Sequence, residues 1–321
     1  MTASTPQQLR KLAWKSGLMA LPFALYGALI VAVDPYELFG VSSLVQLRYK
    51  QDISYKLNYA MWKMLRYRRD PLPNVLLGDS RMMNLPDDAI QQASGRTWAN
   101  LAYGGGSLRE AIATFHFADA QTELERVVLG VNFNLYNAAD DKDRVAEVTA
   151  ALDNPLLYFS NRNVMSATFQ LIPAALTGRE AAIGAPAMSK EEFWRYQLET
   201  TTRVYYGNYR YPAAYHEQLT ELAALCRERD IELAFVIFPG HTDLQDMVGE
   251  YGLEAQYERF LDDIAALGVT YHFDFPSELT RDVENFSDPY HMTDELEPRI
   301  IGAVWGDERE HVKVLGADSG G

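Results

Sequence analysis

Five short apolar runs constrain this chain more than any other feature. They fall at 74–77, 97–101, 127–131, 233–238 and 270–275, each the length of one strand. Helical patterns at 107–122, 213–229, 253–267 and 294–305 separate or follow them. In the first of these, Ser107 and Glu110 have capping-box spacing, and Leu108, Ala111, Ile112, Phe115 and Ala118 recur on one face. Strands that alternate with helices imply an α/β fold with a mainly parallel, five-stranded sheet covered on both faces. No internal repeat is present.

Composition narrows the function. The 321 residues are 48% hydrophobic and 23% charged, enough for one large core or two small ones. A net charge of -15 argues against nucleic acid, which needs a basic face to neutralise phosphates. The single cysteine, Cys226, excludes an internal disulfide, and its apolar helical position suits a buried structural thiol. The six histidines are scattered with no His-Glu-x-x-His pattern, so no metal is expected. Gly104-Gly-Gly106 precedes a helix but has no Gly-Lys-Ser/Thr or Gly-x-Gly-x-x-Gly around it, so no nucleotide cofactor is expected either.

The amino-terminal region reads differently. Residues 17–33 carry no charge, and as a helix they would span about 26 Å, just under a bilayer core. Pro22 is tolerated in such a helix, and Trp14, Tyr36 and Phe39 flank it as interface anchors would. A cleaved signal peptide and a buried core helix are the rivals. No small-x-small cleavage site follows the run, which favours an uncleaved anchor. Arg10, Lys11 and Lys15 would hold the amino end in the cytoplasm and send the rest outward, although Arg48, Lys50, Lys56, Lys63, Arg66, Arg68 and Arg69 beyond the run weaken that bias. The expectation is a single-pass protein of the cytoplasmic (inner) membrane, its folded domain on the periplasmic or extracytoplasmic side.

The domain plan follows. Residues 1–40 are tail and anchor. Residues 41–72 hold an amphipathic juxtamembrane helix at 53–69, fit for a membrane surface, for packing on a partner or for packing on its own domain. Asp70-Pro-Leu-Pro73 ends that helix, and a catalytic domain runs over 73–306. Within it, 137–202 reads as an insertion or lid, with an Ala/Gly/Pro loop near 178–189 and a tyrosine cluster at 205–211 just beyond. The tail, 307–321, is expected to fray.

Gly78-Asp79-Ser80 follows the first strand and places a hydroxyl at the carboxyl end of the sheet, where open α/β folds put their sites. A serine is a poor nucleophile until a base takes its proton and a third group orients that base. His291 is the candidate base, and Asp288, three residues earlier, its orienter. Backbone N–H groups around Gly104, Gly105 and Gly106, with the side-chain amide of Asn132, are the candidate donors to an oxyanion. Asn134 competes with Asn132, which ranks first because it follows Gly130-Val directly. Each element has a plainer reading: a turn, a solvated Asp-x-x-His pair, a strand cap. Their order is what matters, since each falls just past a strand and so on one edge of the sheet.

Taken together these blocks resemble the SGNH hydrolase superfamily: Gly78-Asp79-Ser80, Asn100-Leu-Ala-Tyr-Gly-Gly105, Gly130-Val-Asn132 and Asp288-Pro-Tyr-His291. The resemblance covers roughly 73–306 and implies a flavodoxin-like three-layer αβα fold. It implies Ser80 as nucleophile, His291 as base and Asp288 as its partner, with the N–H groups of Ser80 and Gly105 and the amide of Asn132 as oxyanion hole. Ala102 stands where many members have glycine, and three consecutive glycines blur which one donates. The chain is more particularly similar to a membrane-anchored branch that includes alginate O-acetylation and teichoic-acid D-alanylation proteins. The anchor, Asn74-Val-Leu-Leu-Gly-Asp-Ser-Arg-Met, Val127-Val-Leu-Gly-Val-Asn-Phe, Phe238-Pro-Gly-His241 and Phe286-Ser-Asp-Pro-Tyr-His-Met carry that likeness.

That branch implies an O-acyltransferase acting through an acyl-serine on a cell-envelope or exopolysaccharide polymer, beside a multi-spanning membrane O-acyltransferase (MBOAT) partner. An acyl esterase on the same residues and a non-catalytic scaffold are the alternatives. Arg81, Tyr103, Arg109, Asn134 and His241 are the candidates for substrate contact. For Arg81 and Arg109 plain surface charge is the simpler reading; the tyrosine cluster could stack on sugar rings, and core or partner packing is the simpler reading there.

Overall fold

The computed structural model describes residues 6–40, 44–178 and 188–316. The loop expected near 178–189 and the last residues of the tail lie mostly outside them. The chain divides into two compact units. One comprises residues 1–66 with 147–183, the other 67–146 with 184–321.

The second unit is built on a six-stranded sheet. Its strands are β1 (Asn74–Leu77), β2 (Ala99–Asn100), β3 (Arg126–Gly130), β4 (Glu232–Ile237) and β5 (Val269–His272), all parallel. A short ribbon, β6 (Phe286–Asp288) with β7 (His291–Met292), stands apart from it. The last strand, β8 (Lys313–Leu315), pairs antiparallel with β5. The sheet order is β2-β1-β3-β4-β5-β8. The five-stranded expectation is therefore corrected to six, and the tail read as frayed supplies the sixth. Without β8 the outer edge of β5 would expose unpaired N–H and C=O groups. β8 is three residues long, Lys313-Val-Leu315, too short to register as a strand in the sequence.

Alternation along the strands sorts the core into two layers. Val75, Leu77, Val127, Leu129, Phe235 and Ile237 face helices Leu108–Asp119, Ala213–Glu228 and Glu254–Ala265, where Phe115, Leu222, Cys226 and Phe260 are buried. Leu76, Val128 and Val236 face the opposite way, toward Ile90, Ile300 and Ile301 of helices Asp87–Ser94 and Glu297–Trp305. One-residue register thus decides which layer each side chain enters. The order 2-1-3-4-5 puts the topological switch at β1, so ligands are expected outside the carboxyl ends of β1 and β3. Three glycines let the backbone close there. A Cβ on Gly78, whose φ is +141°, would lie 2.8 Å from the carbonyl oxygen of Gly130, and one on Gly106 would lie 2.9 Å from that of Gly78.

The first unit holds helix Pro6–Val33, whose apolar residues are mostly exposed. It is long and apolar enough to cross a membrane. The helix stops at Asp34, which has φ +47° and precedes Pro35; its carboxylate accepts the N–H groups of Phe39 (3.2 Å) and Gly40 (2.8 Å). The 53–69 helix of the sequence reading begins earlier and is broken: Leu47–Lys50 continues as a π-turn to Tyr55, and Tyr59–Arg69 restarts after Asn58. Asn58 causes the restart by accepting the N–H of Met61 on its side chain. Helices Pro155–Ser160 and Arg162–Thr177 complete the unit.

Candidate active site

The nucleophile candidate sits at the first corner of the sheet. β1 ends at Leu77, Gly78 turns the chain, and Asp79 caps the one-turn helix Ser80–Met83 by accepting the N–H of Arg81 at 3.0 Å. Ser80 is thereby lifted off the strand end.

His291 and Asp288 reach it from the far end of the chain. They are opposed residues of the β6–β7 ribbon, joined by the two-residue turn Pro289-Tyr290. A hairpin, not a helical turn, brings the side chains at i and i+3 to one side. Asp288 Oδ1 accepts the N–H of Tyr290 at 2.9 Å. Its Oδ2 lies 2.7 Å from His291 Nδ1, and His291 Nε2 lies 2.7 Å from Ser80 Oγ. A carboxylate can only accept from Nδ1, so Nε2 is left to accept the serine hydroxyl proton. The Asp288 side chain is 6% exposed and that of His291 27%, an arrangement with the orienter dry and the base reachable. The ribbon is pinned to the sheet where β4 ends, since the N–H of His241 donates to Pro289 O at 3.0 Å.

The glycine turn is held from behind. Arg144 Nη1 donates to Gly104 O at 3.1 Å, and Lys142 Nζ to Gly105 O at 3.0 Å. A trans peptide points its N–H opposite its C=O, so the first bond directs the N–H of Gly105 away from Arg144. The N–H of Gly106 is used within the turn, donating to Tyr103 O at 2.8 Å. Among the three glycines, Gly105 has φ +58° and open space around its Cα. Arg144 is in turn fixed by the fully buried Glu110, at 2.7 Å from each carboxylate oxygen. Burial pushes the Glu110 carboxyl up, and donation from Arg144 with the N–H of Ser107 brings it below its ordinary value.

Both asparagines are tied down. Asn132 forms a two-point pair with the backbone of Phe238, donating from Nδ2 at 2.7 Å and accepting on Oδ1 at 3.2 Å. Asn134 accepts from Arg81 Nη2 at 2.8 Å on its Oδ1. Each keeps an N–H beyond these bonds.

The remaining candidates separate. Arg81, read as surface charge, is 4% exposed and pairs with Asp79; its burial opposes the charge, and the Asp79 carboxylate more than offsets that, so the guanidinium stays above its ordinary value. Tyr103 is buried as well, with its hydroxyl 3.0 Å from Thr114 Oγ1, so it belongs to the core rather than to a substrate surface. Arg109 is exposed and pairs with Asp143 at 3.0 Å. His241 is buried, caps helix Thr242–Glu250 by accepting the N–H of Asp243 on Nδ1, and packs against Trp194 and Phe286. Tyr206 and Tyr209 of the tyrosine cluster pack on Phe133 inside the core. Among the described residues no group of three or more His, Cys, Asp or Glu side chains is placed to hold a metal ion.

Two features escape the sequence reading. Arg144 and Lys142 lie in the stretch read as a lid, and nothing in their spacing points to the glycine turn. Asp274, one residue past β5's neighbour Phe273, accepts from Gly240 N and Gln245 Nε2 at 3.0 Å each. Burial raises its carboxyl above the ordinary value. A lone Asp after a strand carried no signal.

No protein-family model matches the chain, and no curated protein does. Several solved structures resemble it, three of which follow. One, from Streptococcus pneumonia, is provisionally described as a platelet activating factor (11% identity, 77% of this chain, 91% of that one, TM-score 0.34). A second, from Desulfitobacterium hafniense DCB-2, is provisionally described as a lipolytic protein of the G-D-S-L family (10%, 72% and 97%, TM-score 0.34). A third, from Bacteroides fragilis NCTC 9343, is provisionally described as an acylhydrolase (9%, 78% and 95%, TM-score 0.35). At these identities and scores the likenesses decide nothing about the site, which stands on its own geometry.

Proposed function

We propose that the chain is a membrane-tethered serine O-acyltransferase of the SGNH kind. The observation that carries this reading is the unbroken hydrogen-bonded series Ser80–His291–Asp288 at the carboxyl edge of the sheet. Ser80 Oγ attacks the acyl carbonyl of a donor while its proton passes to His291 Nε2. The charge that develops on the carbonyl oxygen is met by the N–H groups of Ser80 and Gly105 with an asparagine amide. His291 returns the proton to the leaving group, and an acetyl or D-alanyl ester remains on Ser80. A hydroxyl of an envelope polymer or exopolysaccharide then attacks that ester, giving its proton to His291, which passes it to Ser80 Oγ as the acyl–serine bond breaks. Helix Pro6–Val33 is read as the anchor in the cytoplasmic membrane, with the α/β unit outside and an MBOAT-type membrane O-acyltransferase as the source of acyl groups.

Hydrolysis is the second reading, supported by the partial exposure of Ser80 and His291, which lets water stand where the polymer hydroxyl would. Full-length protein in detergent, given an aryl acetate with and without a polysaccharide acceptor, separates the two. A mass increase on the Ser80 peptide, followed by acceptor-dependent loss to polymer, supports transfer. Rapid acetate release that no acceptor diverts supports the esterase. If neither an adduct on Ser80 nor acetate release is seen under either condition, both readings fall.

A further inference from the structure

The anchor helix is not free over its whole length. Its apolar run, residues 17–33, measures about 26 Å, and a bilayer core needs about 30 Å, so all of it is required to span. Arg10, Lys11 and Lys15 prevent the span from shifting toward the amino end. Yet the last two turns of that run are covered by protein. Tyr26 Oη donates to Phe159 O at 2.9 Å, Gly27 faces the Phe159 ring, and Ile30 and Val33 are buried. Whatever packs on residues 26–33 of a spanning helix lies at membrane depth.

The covering element is the helix pair Pro155–Ser160 and Arg162–Thr177, and its surface suits that depth. In the longer helix Val164, Ala167, Thr168, Leu171 and Ala174 form the buried stripe. A second stripe, Met165, Phe169, Ile172 and Leu176, recurs at i, i+4, i+7 and i+11, roughly 130° around the helix from the first. Phe169 is 53% exposed and Leu176 82%, and Leu156 of the shorter helix is 75% exposed. Arg162, Ser166, Gln170 and Thr177 occupy the remaining face. Arg162 is the one charged residue between 155 and 177, in a chain of which 23% is charged. On its side of the span the unit that contains the pair holds seven Lys and Arg against six Asp and Glu, since Arg10, Lys11 and Lys15 lie beyond the other end of the anchor. An uncharged apolar face held at membrane depth beside a spanning helix fits lipid acyl chains.

We propose that the helix pair 155–177 is a second membrane element, lying in the interface beside the anchor with Met165, Phe169, Ile172, Leu176 and Leu156 among the lipid acyl chains. It rests on the reading of Pro6–Val33 as a span. It would seat the first unit on the bilayer instead of leaving it hanging from a single helix.

Full-length protein in vesicles of phosphatidylcholine and phosphatidylglycerol tests this. In a Cys226→Ala background, one thiol at a time is introduced as Leu21→Cys, Phe169→Cys, Leu176→Cys or Gln170→Cys and given an environment-sensitive fluorophore. These positions lie on exposed or partly exposed helix faces, so the fold tolerates the label. The expected result is quenching of the labels at 21, 169 and 176 by spin-labelled lipid and not by aqueous iodide, with the reverse at 170. Iodide quenching at 169 and 176 together with lipid quenching at 21 overturns the proposal and leaves the anchor intact. Iodide quenching at 21 removes the anchor reading and this proposal with it. Labels at 169 and 176 that neither agent reaches mean that protein covers the face, a second copy or a partner, which also overturns it.

Discussion

Arg144 Nη1 lies 3.1 Å from the carbonyl oxygen of Gly104, and this bond sets the direction of the next N–H, that of Gly105. A donor aimed in advance stabilises a developing oxyanion more than one that must turn to meet it. The same guanidinium neutralises Glu110, which is fully buried. One side chain therefore serves both the stability of the unit and the shape of the glycine turn.

Arg144→Gln is expected to lower kcat toward an aryl acetate by about 10–10²-fold with little change in KM. It leaves the Glu110 carboxylate buried without its cation, a loss of about 3–5 kcal/mol in stability. Glu110→Gln combined with Arg144→Gln should recover much of the stability and none of the rate. Urea midpoints and steady-state kinetics on the three proteins check this, and parallel recovery of both would show that Arg144 acts on folding alone.

Ser80→Ala should abolish ester turnover and labelling by a fluorophosphonate while leaving the fold in place. His291→Ala and Asp288→Asn should each reduce turnover by about 10⁴-fold, the second because the imidazole loses the group that fixes its tautomer. Active-site labelling followed by peptide mapping reads all three. Label that stays on the protein in Ser80→Ala would identify a different nucleophile.

The glycines should differ in rank. Gly105→Ala meets open space and costs only the left-handed backbone, about 1–2 kcal/mol. Gly106→Ala drives a methyl to 2.9 Å from the carbonyl oxygen of Gly78, and Gly78→Ala drives one to 2.8 Å from that of Gly130, in both cases against backbone that cannot swing aside. Thermal unfolding should therefore rank Gly105→Ala as the mildest and the other two as severe, and equal losses at all three would contradict the packing.

His272 is 3% exposed, and burial, aided by Lys313, lowers its pKa from 6.5 to about 4. The folded state holds it neutral while the unfolded chain takes up a proton below pH 6.5. Its contribution is present above pH 6.5 and is lost as pH falls toward 4, by about 3 kcal/mol in all. His272→Gln should flatten this part of the stability profile. Unfolding midpoints between pH 7 and 4 that fall equally steeply in both proteins would assign the acid sensitivity elsewhere.

Much of this protein is determined locally and is legible in the chain. Strand-length apolar runs, the Ser107–Glu110 cap and the 17–33 run depend on periodicity and on contacts within a few residues, and they specify the α/β alternation and the long apolar helix. Gly78-Asp79-Ser80 and Asp288-x-x-His291 could be singled out because corner residues and i, i+3 pairs are written next to each other. Only the tertiary structure brings the two together, across 211 residues, and only it converts Asp288 and His291 into opposed residues of a hairpin. It alone pairs Arg144 with Gly104, buries Arg81 between Asp79 and Asn134, and adds β8 to the edge of the sheet. Those relations lie between segments distant in sequence, where side-chain direction and burial are set by packing, and packing leaves no period in the chain from which to read them.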